Sequence, residues 1–241
     1  MIANEKPELI FALGDFQYGD IGGILNGWNL MYGPKPNGLY PKAFPTAGPT
    51  HDVTSCTDSR YESYFGRRAE KLYSFDVSTW HIISLPSSAW RYGCDPAGIT
   101  AALKADLAAH RTECTLAFLH EPYWTRPTSE HSRTTAEKPW IQALYNAGVE
   151  ILLQAHNHDY QRFAPQDPND NLARARGIRA FVVGTGGVGL YRFSGSAPNV
   201  EASNDTTYGA LKLTLRKGSY DFKFIRAAGA SFTDAGSGTC H

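Results

Sequence analysis

Short apolar runs, each bounded by glycine, proline or polar residues, recur along the chain. Runs of this length are typical of buried strands. They predict strands at residues 8–15, 73–77, 80–85, 114–120, 149–156 and 179–183. Farther along, apolar and polar residues alternate over 211–215 and again over 220–224. That alternation predicts a half-buried antiparallel hairpin.

Three segments between the predicted strands have the pattern of helices. Residues 60–70 place their aromatic side chains on one face. Residues 100–110 are rich in Ala and Leu and start with a Thr at the N-cap position. Residues 138–147 end at Gly148, a typical C-cap glycine. Because apolar strands alternate with helices, we expect a largely parallel, buried sheet in the central part of the chain.

Length and composition indicate a globular protein with one core. The chain has 241 residues, of which 42% are hydrophobic, and we expect a single domain over residues 1–241. Residues 19–50 are rich in Gly and Pro and predict a long loop with one short helix. Loops of that length are often functional.

Charge and hydropathy narrow the range of partners. The chain carries 23 Lys and Arg against 23 Asp and Glu, so it lacks the basic excess of nucleic-acid-binding proteins. Its apolar runs are far shorter than the roughly 20 residues that cross a bilayer. The first residues show no basic region followed by an apolar stretch, so we expect no signal peptide in this chain. We expect a monomer without nucleic-acid or membrane partners.

Four cysteines leave the redox state open. Cys56, Cys94, Cys114 and Cys240 form no C-x-x-C pair, which argues against a zinc knuckle. A disulfide between Cys94 and Cys114 would close a loop of about 20 residues and contribute roughly 3 kcal/mol. The alternative is four free thiols in a cytosolic protein.

Potential metal ligands follow three of the predicted strands. Asp15 and Tyr18 follow the first, His120 ends another, and His156 and His158 end a third. Because the carboxyl ends of parallel strands meet at one edge of a sheet, these side chains can converge. A carboxylate can bridge two ions, and imidazoles supply neutral nitrogen ligands. On an extended segment alternate side chains share a face, so the two His of His-x-His can each reach one ion of a pair.

These residues stand in motifs that resemble those of the calcineurin-like metallophosphoesterases, in the bacterial branch similar to purple acid phosphatases. Residues 14–18 match GD-x-x-Y, and residues 48–52 stand where GNH-[DE] belongs. Residues 118–122 hold the strand-end His, and residues 155–158 match GH-x-H with Ala for Gly. The resemblance covers almost the whole chain. It implies an α/β fold: a layered β-sandwich of the metallophosphoesterase type, flanked by helices, with an antiparallel hairpin at the carboxyl end.

The resemblance also implies the activity and a ligand set. The protein would hydrolyse small-molecule phosphate esters through a hydroxide activated by two metal ions, Fe, Zn or Mn. Asp15 would bridge the two ions. Tyr18, as a phenolate, and His158 would bind one ion, and His120 and His156 would bind the other.

Two further histidines acquire roles from the same resemblance. His51 would stabilise the phosphate or the attacking hydroxide without binding metal. His131, in the loop after the His120 strand, would contact substrate and protonate the leaving group. The resemblance further implies export from the cytoplasm.

The chain also departs from the family pattern. Thr50 stands where the family has a metal-binding Asn. Met1 lies only 14 residues before Asp15, so we expect the family's first strand, with its metal-binding Asp, to be missing. Both departures predict weak metal loading. The alternatives are therefore a degenerate or truncated homologue that binds metal or phosphate without catalysis, or an enzyme that hydrolyses other esters at the same centre.

A glycine-rich segment after the predicted strand at 179–183 has a different explanation. Residues 184–189 satisfy G-x-G-x-x-G, the dinucleotide-binding pattern. No helix start follows, and no acidic residue stands about 20 positions farther on. We expect a tight turn beside the metal cleft.

Overall fold

The computed structural model describes residues 1–16, 18, 29, 33, 35–46, 48, 51–56, 58–69 and 72–241. Their strands are β1 (Ile10–Ala12), β2 (Ala43–Pro45), β3 (Tyr73–Val77), β4 (Trp80–Ser84), β5 (Cys114–Phe118), β6 (Ile151–Gln154), β7 (Tyr160–Phe163), β8 (Arg179–Val183), β9 (Val200–Asn204), β10 (Gly209–Arg216), β11 (Ser219–Arg226) and β12 (Ala235–Thr239). Their helices are α1 (Ser59–Phe65), α2 (Ser88–Tyr92), α3 (Pro96–Ala109) and α4 (Lys138–Asn146), with 3-10 turns at Ile2–Glu5, Tyr40–Lys42 and Gly66–Ala69.

A seven-stranded mixed sheet forms the centre, in the order β3-β4-β5-β6-β8-β7-β9. Strands β4, β5, β6 and β8 are parallel, as the alternation of apolar strands and helices predicts. The crossovers from β4 to β5 and from β5 to β6 contain α3 and α4. Both β4 and β6 are buried along their whole length because layers cover both faces of the sheet.

The two faces of the central sheet contact different layers. Helices cover one face, where Leu103 of α3 and Trp140 of α4 lie in one core with Leu152 of β6. The antiparallel sheet β10-β11-β12 covers the other, where Phe222 and Tyr160 belong to a second core. The layered α/β fold with a carboxyl-terminal antiparallel hairpin is therefore confirmed, and β12 adds a third strand to that hairpin.

The amino-terminal strand lies outside the large sheet. The strand predicted at 8–15 is confined to β1, which pairs in parallel with β2. Phe11 of β1 packs on Phe118 of β5, with ring centroids 5.2 Å apart. Thus β1 still delivers the residues that follow it to the edge where β5 ends. Of the predicted long loop, residues 19–28 and Thr50 lie outside the described residues.

One helix begins earlier than the sequence pattern predicts. Asp95, not Thr100, is the N-cap of α3, and its side chain accepts a hydrogen bond from the backbone N–H of Gly98 at 3.0 Å. Proline suits a first helical turn because its φ is already helical and the missing N–H has no partner there. Pro96 occupies that turn, and Thr100 lies within the helix, where its hydroxyl donates to the Pro96 carbonyl.

The four cysteines form two disulfides, Cys56–Cys94 and Cys114–Cys240. The free-thiol interpretation and the Cys94–Cys114 pairing are both wrong. Spacing along the chain could not reveal the second bridge because it joins residues 126 positions apart, at the start of β5 and just after β12. Two disulfides are consistent with an extracellular protein.

Hydropathy gives a separate finding. Among the described residues, no helix has both the length and the apolar character needed to span a membrane.

Candidate metal centre

The turn after β1 holds Asp15 in an unusual backbone conformation. Gly14 and Asp15 have φ values of 92° and 54°. The carboxylate of Asp52 stabilises this turn, since it accepts the backbone N–H groups of Asp15 at 2.8 Å, Phe16 at 2.9 Å and Gly48 at 2.7 Å. Asp52 is buried, and sequence reasoning gave it no role although it closes the motif at 48–52. A left-handed non-glycine residue held by its surroundings is typical of a functional site.

Two glycines allow this turn to approach a buried histidine. A Cβ atom on Gly14 would lie 2.5 Å from Nδ1 of His120, and one on Gly48 would lie 2.9 Å from its Cδ2. Neither distance is sterically possible without movement of backbone or ring. Both positions therefore need glycine for His120 to lie beside Asp15.

The first group of potential ligands comprises Asp15, His120 and His156. Nδ1–H of His120 donates to the Leu13 carbonyl at 2.7 Å, which directs Nε2 towards the site. This Nε2 lies 3.3 Å from Oδ1 of Asp15 and 3.2 Å from Nδ1 of His156. The Oδ1 atom is buried and accepts no hydrogen bond. One ligand atom from each residue lies within 4.8 Å of the others, so the group could hold a cation.

The second group comprises Tyr18 and His158 on the other oxygen of Asp15. The Tyr18 hydroxyl donates to Oδ2 of Asp15 at 2.7 Å and lies 2.8 Å from Nε2 of His158. Nδ1–H of His158 donates to the Gly189 carbonyl at 2.9 Å, which leaves Nε2 as an acceptor. Burial and the Asp15 carboxylate raise the pKa of Tyr18, so the phenol keeps its proton unless a cation replaces it. The two carboxylate oxygens of Asp15 therefore face two different groups.

The His-x-His segment is a turn, not the extended segment that the sequence predicts. His156 has a left-handed φ of 62°. Asn157 between the two histidines is buried, and its amide donates to Oγ1 of Thr125 at 2.6 Å. The turn still separates the two histidines: His156 lies against His120, and His158 lies against Tyr18.

Without a cation, His120 carries a proton beside the ionised carboxylate of Asp15. Burial favours neutral His120, but the Asp15 carboxylate outweighs burial and raises the pKa of His120 to about 9. Burial likewise raises the pKa of Asp15, yet its contact with His120 prevails and the pKa falls to about 2. Burial and the charge of His120 lower the pKa of His156 to about 3. A cation would take the place of the proton on His120, so the residues fit a metal ion.

The two predicted substrate-contacting histidines border the same centre. The ring of His131 lies 4.1 Å from that of His156, and the ring of His51 lies 4.1 Å from that of Tyr18. His51 is exposed and His131 is half-buried. Their roles stay predictions, but all seven residues predicted from the sequence lie around one centre.

Sequence reasoning missed an aromatic neighbour of this centre. The ring of Tyr191 stacks on His158 at 4.0 Å and contacts His131 edge-on at 5.4 Å. It belongs to the glycine-rich turn, whose residue Gly189 accepts the hydrogen bond of His158. The glycine-rich segment thus lies beside the cleft and bends at residues 186–188. Nothing in the sequence pattern distinguished Tyr191 from other loop aromatics.

Similar folds occur among solved structures at low sequence identity. Purple acid phosphatase PPD1 from yellow lupin (Lupinus luteus) seeds superposes with a TM-score of 0.67 at 16% identity, over 98% of this chain and 47% of that one. GAP50, the anchor in the inner membrane complex of Plasmodium, superposes with a TM-score of 0.68 at 14% identity, over 100% of this chain and 81% of that one. PhoD superposes with a TM-score of 0.58 at 12% identity, over 99% of this chain and 64% of that one.

These likenesses define the class of fold. The chain has the fold of the calcineurin-like metallophosphoesterases. It spans about half the length of the lupin phosphatase. No protein-family model matches the sequence, and no curated protein matches it either.

Proposed function

We propose that the protein hydrolyses small-molecule phosphate esters with two metal ions held by Asp15, Tyr18, His120, His156 and His158. One observation carries the proposal: each carboxylate oxygen of Asp15 faces its own set of ligand atoms, within 3.3 Å of His120 and 2.7 Å of Tyr18. The purple acid phosphatase that shares this fold supports phosphate chemistry.

The residues of the proposed site have separate roles in the reaction. Bound ions of Fe, Zn or Mn would polarise the phosphoryl oxygens and lower the pKa of a water molecule. Backbone carbonyls fix the tautomers of His120 and His158, so the ligand nitrogens need no reorientation. His51 donates a hydrogen bond to a phosphoryl oxygen, and His131 protonates the leaving alcohol.

Substitution of the bridging residue tests this proposal. We expect Asp15→Asn to lower kcat on an aryl phosphate, in the presence of Mn²⁺, Zn²⁺ or Fe³⁺, by at least about 10²–10³-fold, because one oxygen and the charge between the two ligand sets are lost. Circular dichroism should show an unchanged fold. Asp221→Asn, at an exposed carboxylate of β11, is the matched control and should retain full activity. Wild-type turnover in Asp15→Asn would refute the assignment.

A second candidate is a homologue that binds metal or phosphate without catalysis. The replacement of the metal-binding Asn by Thr50 favours it, since a Thr hydroxyl is a shorter and weaker ligand. The similar fold of GAP50, an anchor, also favours it. Measurement of turnover on phosphate monoesters and diesters with several metals separates the two candidates. Metal uptake that depends on Asp15, without turnover on any ester, would establish the second candidate.

We also propose that the protein acts outside the cytoplasm as a monomer. The two disulfides support the location because such bonds persist in oxidising compartments. Production in a reducing and in an oxidising compartment, followed by thiol titration, tests it. Four reactive thiols in an active protein would contradict the proposal.

A further inference from the structure

A second cluster of histidines and carboxylates lies at the opposite edge of the central sheet. Asp76 of β3 is paired across the strands with His81 of β4, near the amino end of β4. Asp106 of α3 and His110, the C-cap of that helix, approach the same imidazole from the helical layer. The metal centre proposed above lies instead where β5 and β6 end. The two clusters are therefore separate sites, and the inference below does not depend on the proposed phosphatase activity.

Both imidazoles of this distal cluster form a hydrogen bond with Asp106. The Asp106 carboxylate lies 2.8 Å from Nε2 of His81. Nδ1 of His110 donates to the Asp106 backbone carbonyl at 3.0 Å and lies 3.3 Å from the carboxylate. The carboxylate also accepts the Ser74 hydroxyl at 2.7 Å, which fixes its position. If each ring donates one N–H to Asp106, then Nδ1 of His81 and Nε2 of His110 remain as potential ligand atoms. Nδ1 of His81 faces Oδ1 of Asp76 at 2.6 Å.

We propose that Asp76, His81 and His110 form a second metal site, which takes Zn²⁺ or a similar divalent ion, with Asp106 as the carboxylate that orients the imidazole of His81. One ligand atom from each of the three residues lies within 4.8 Å of the others. Three nitrogen and carboxylate ligands with an open fourth position suit tetrahedral Zn²⁺. A carboxylate behind each metal-binding His is the usual outer support of such sites.

Charge favours an ion at this position. His81 is wholly buried, with its ring nitrogens against the carboxylates of Asp76 and Asp106. A single imidazolium at His81 therefore leaves one of these two negative charges uncompensated. Exchange of the proton between His81 and Asp76 for a divalent cation makes the group of His81, Asp76, Asp106 and the ion neutral. The exchange releases one proton to solvent, and no bond in the chain is broken.

Access and mobility also suit ion binding. The side chains of Asp76 and His110 are 49% and 39% exposed, so two of the three ligands can adjust. The rings of His81 and His110 stack at 4.4 Å with an interplanar angle of 11°. Parallel rings cannot both direct a lone pair at one ion, so His110 must rotate out of the stack on binding. His110 also lines a groove of about 590 Å³, so its ring has open space on one side.

Zn²⁺ binding to matched variants tests the proposal. In the Asp15→Asn/His156→Ala background, which disables the candidate catalytic centre, we expect one Zn²⁺ per chain by metal analysis after dialysis. We expect Asp76→Asn and His110→Ala in that background to lose this ion. Asp106→Asn should weaken binding by about 10–100-fold, as loss of the outer carboxylate does elsewhere. Co²⁺ in place of Zn²⁺ should give a tetrahedral absorption spectrum that His110→Ala abolishes.

Two controls keep the outcomes distinct. His241→Ala removes another histidine of the same groove and should leave Zn²⁺ uptake unchanged. The variant Asp15→Asn/His156→Ala should retain the distal ion even if no phosphatase activity is ever found. If Zn²⁺ uptake and affinity are the same with and without Asp76 and His110, or if no Zn²⁺ binds in that background, the distal site does not exist.

Discussion

The central sheet carries a His and Asp cluster at each of two edges, and the two clusters fix their imidazoles differently. At the carboxyl ends of the strands, His120 and His158 each donate an N–H to a backbone carbonyl, and His120 also lies against the one carboxylate of Asp15. At the opposite edge, His81 has a carboxylate on both ring nitrogens. A carbonyl sets a tautomer without adding charge, whereas two carboxylates favour the imidazolium. At each edge one imidazole, His120 or His81, must therefore give up a proton before a cation binds, whereas His158 offers its nitrogen directly.

The two edges also differ in what holds them in place. The candidate metal centre depends on irregular turns, with Asp15 and His156 in left-handed conformations and Asp52 bound to three backbone N–H groups. The distal edge is built from regular elements, and Cys114–Cys240 joins the start of β5 to the end of the chain. Precise positioning at the first edge thus depends on a few polar contacts, while the second depends on strand pairing and a covalent link.

Removal of the distal disulfide should have the largest effect on stability. We expect Cys114→Ser/Cys240→Ser to lower the free energy of unfolding by about 2–5 kcal/mol, because the unfolded chain gains the freedom of a long loop. Denaturant unfolding followed by circular dichroism measures the loss, and turnover per folded molecule should be unchanged. Cys56→Ser/Cys94→Ser is the matched control. Its bridge spans 38 positions against 126, so the chain-entropy account predicts a loss about 1 kcal/mol smaller. Equal stability with and without Cys114–Cys240 would contradict this account.

Asp52→Asn should lower the activity or the metal affinity of the candidate metal centre, at the other edge of the sheet. The amide keeps one acceptor oxygen but loses the charge that holds the N–H groups of Asp15, Phe16 and Gly48. We expect a fall of about 10–100-fold in kcat or in metal affinity, the usual cost of losing an outer support of a metal site. Steady-state kinetics and metal analysis measure both quantities. Full activity with normal metal content in Asp52→Asn would show that the turn holds its shape without this carboxylate.

The sequence predicted the regular parts of the molecule better than the contacts between distant segments. The strand at 179–183 and the helix before Gly148 are as expected, because local pattern and capping determine them. The convergence of Asp15, Tyr18 and the three strand-end histidines was expected from the geometry of parallel strand ends, whereas His51 and His131 were placed there only by the family resemblance. Local patterns contain no information on Cys114–Cys240 or on the Asp52 contacts, which join residues far apart in the chain. The turn at His156 was also missed, because a left-handed residue leaves no mark on hydrophobic periodicity.

The smallest expected effect is on the pH dependence of the free energy of unfolding, and it tests the protonation of His81 at the distal edge. Burial disfavours protonated His81, but its bonds to Asp106 and Asp76 outweigh burial and raise its pKa above the usual 6.5. A raised pKa stabilises the fold fully below the unfolded-state pKa, and this contribution is lost as pH rises through the folded-state value.

With a chelator present, Asp76→Asn should therefore lower the unfolding free energy by about 0.5–1 kcal/mol near pH 6, a modest value because Asp76 is half-exposed. The difference between wild type and variant should shrink towards pH 9, as His81 loses its proton in both. Denaturant unfolding at several pH values measures this difference. A gap that stays constant over that range would mean that His81 does not change its protonation state between pH 6 and pH 9, which would contradict the proton exchange inferred for this edge.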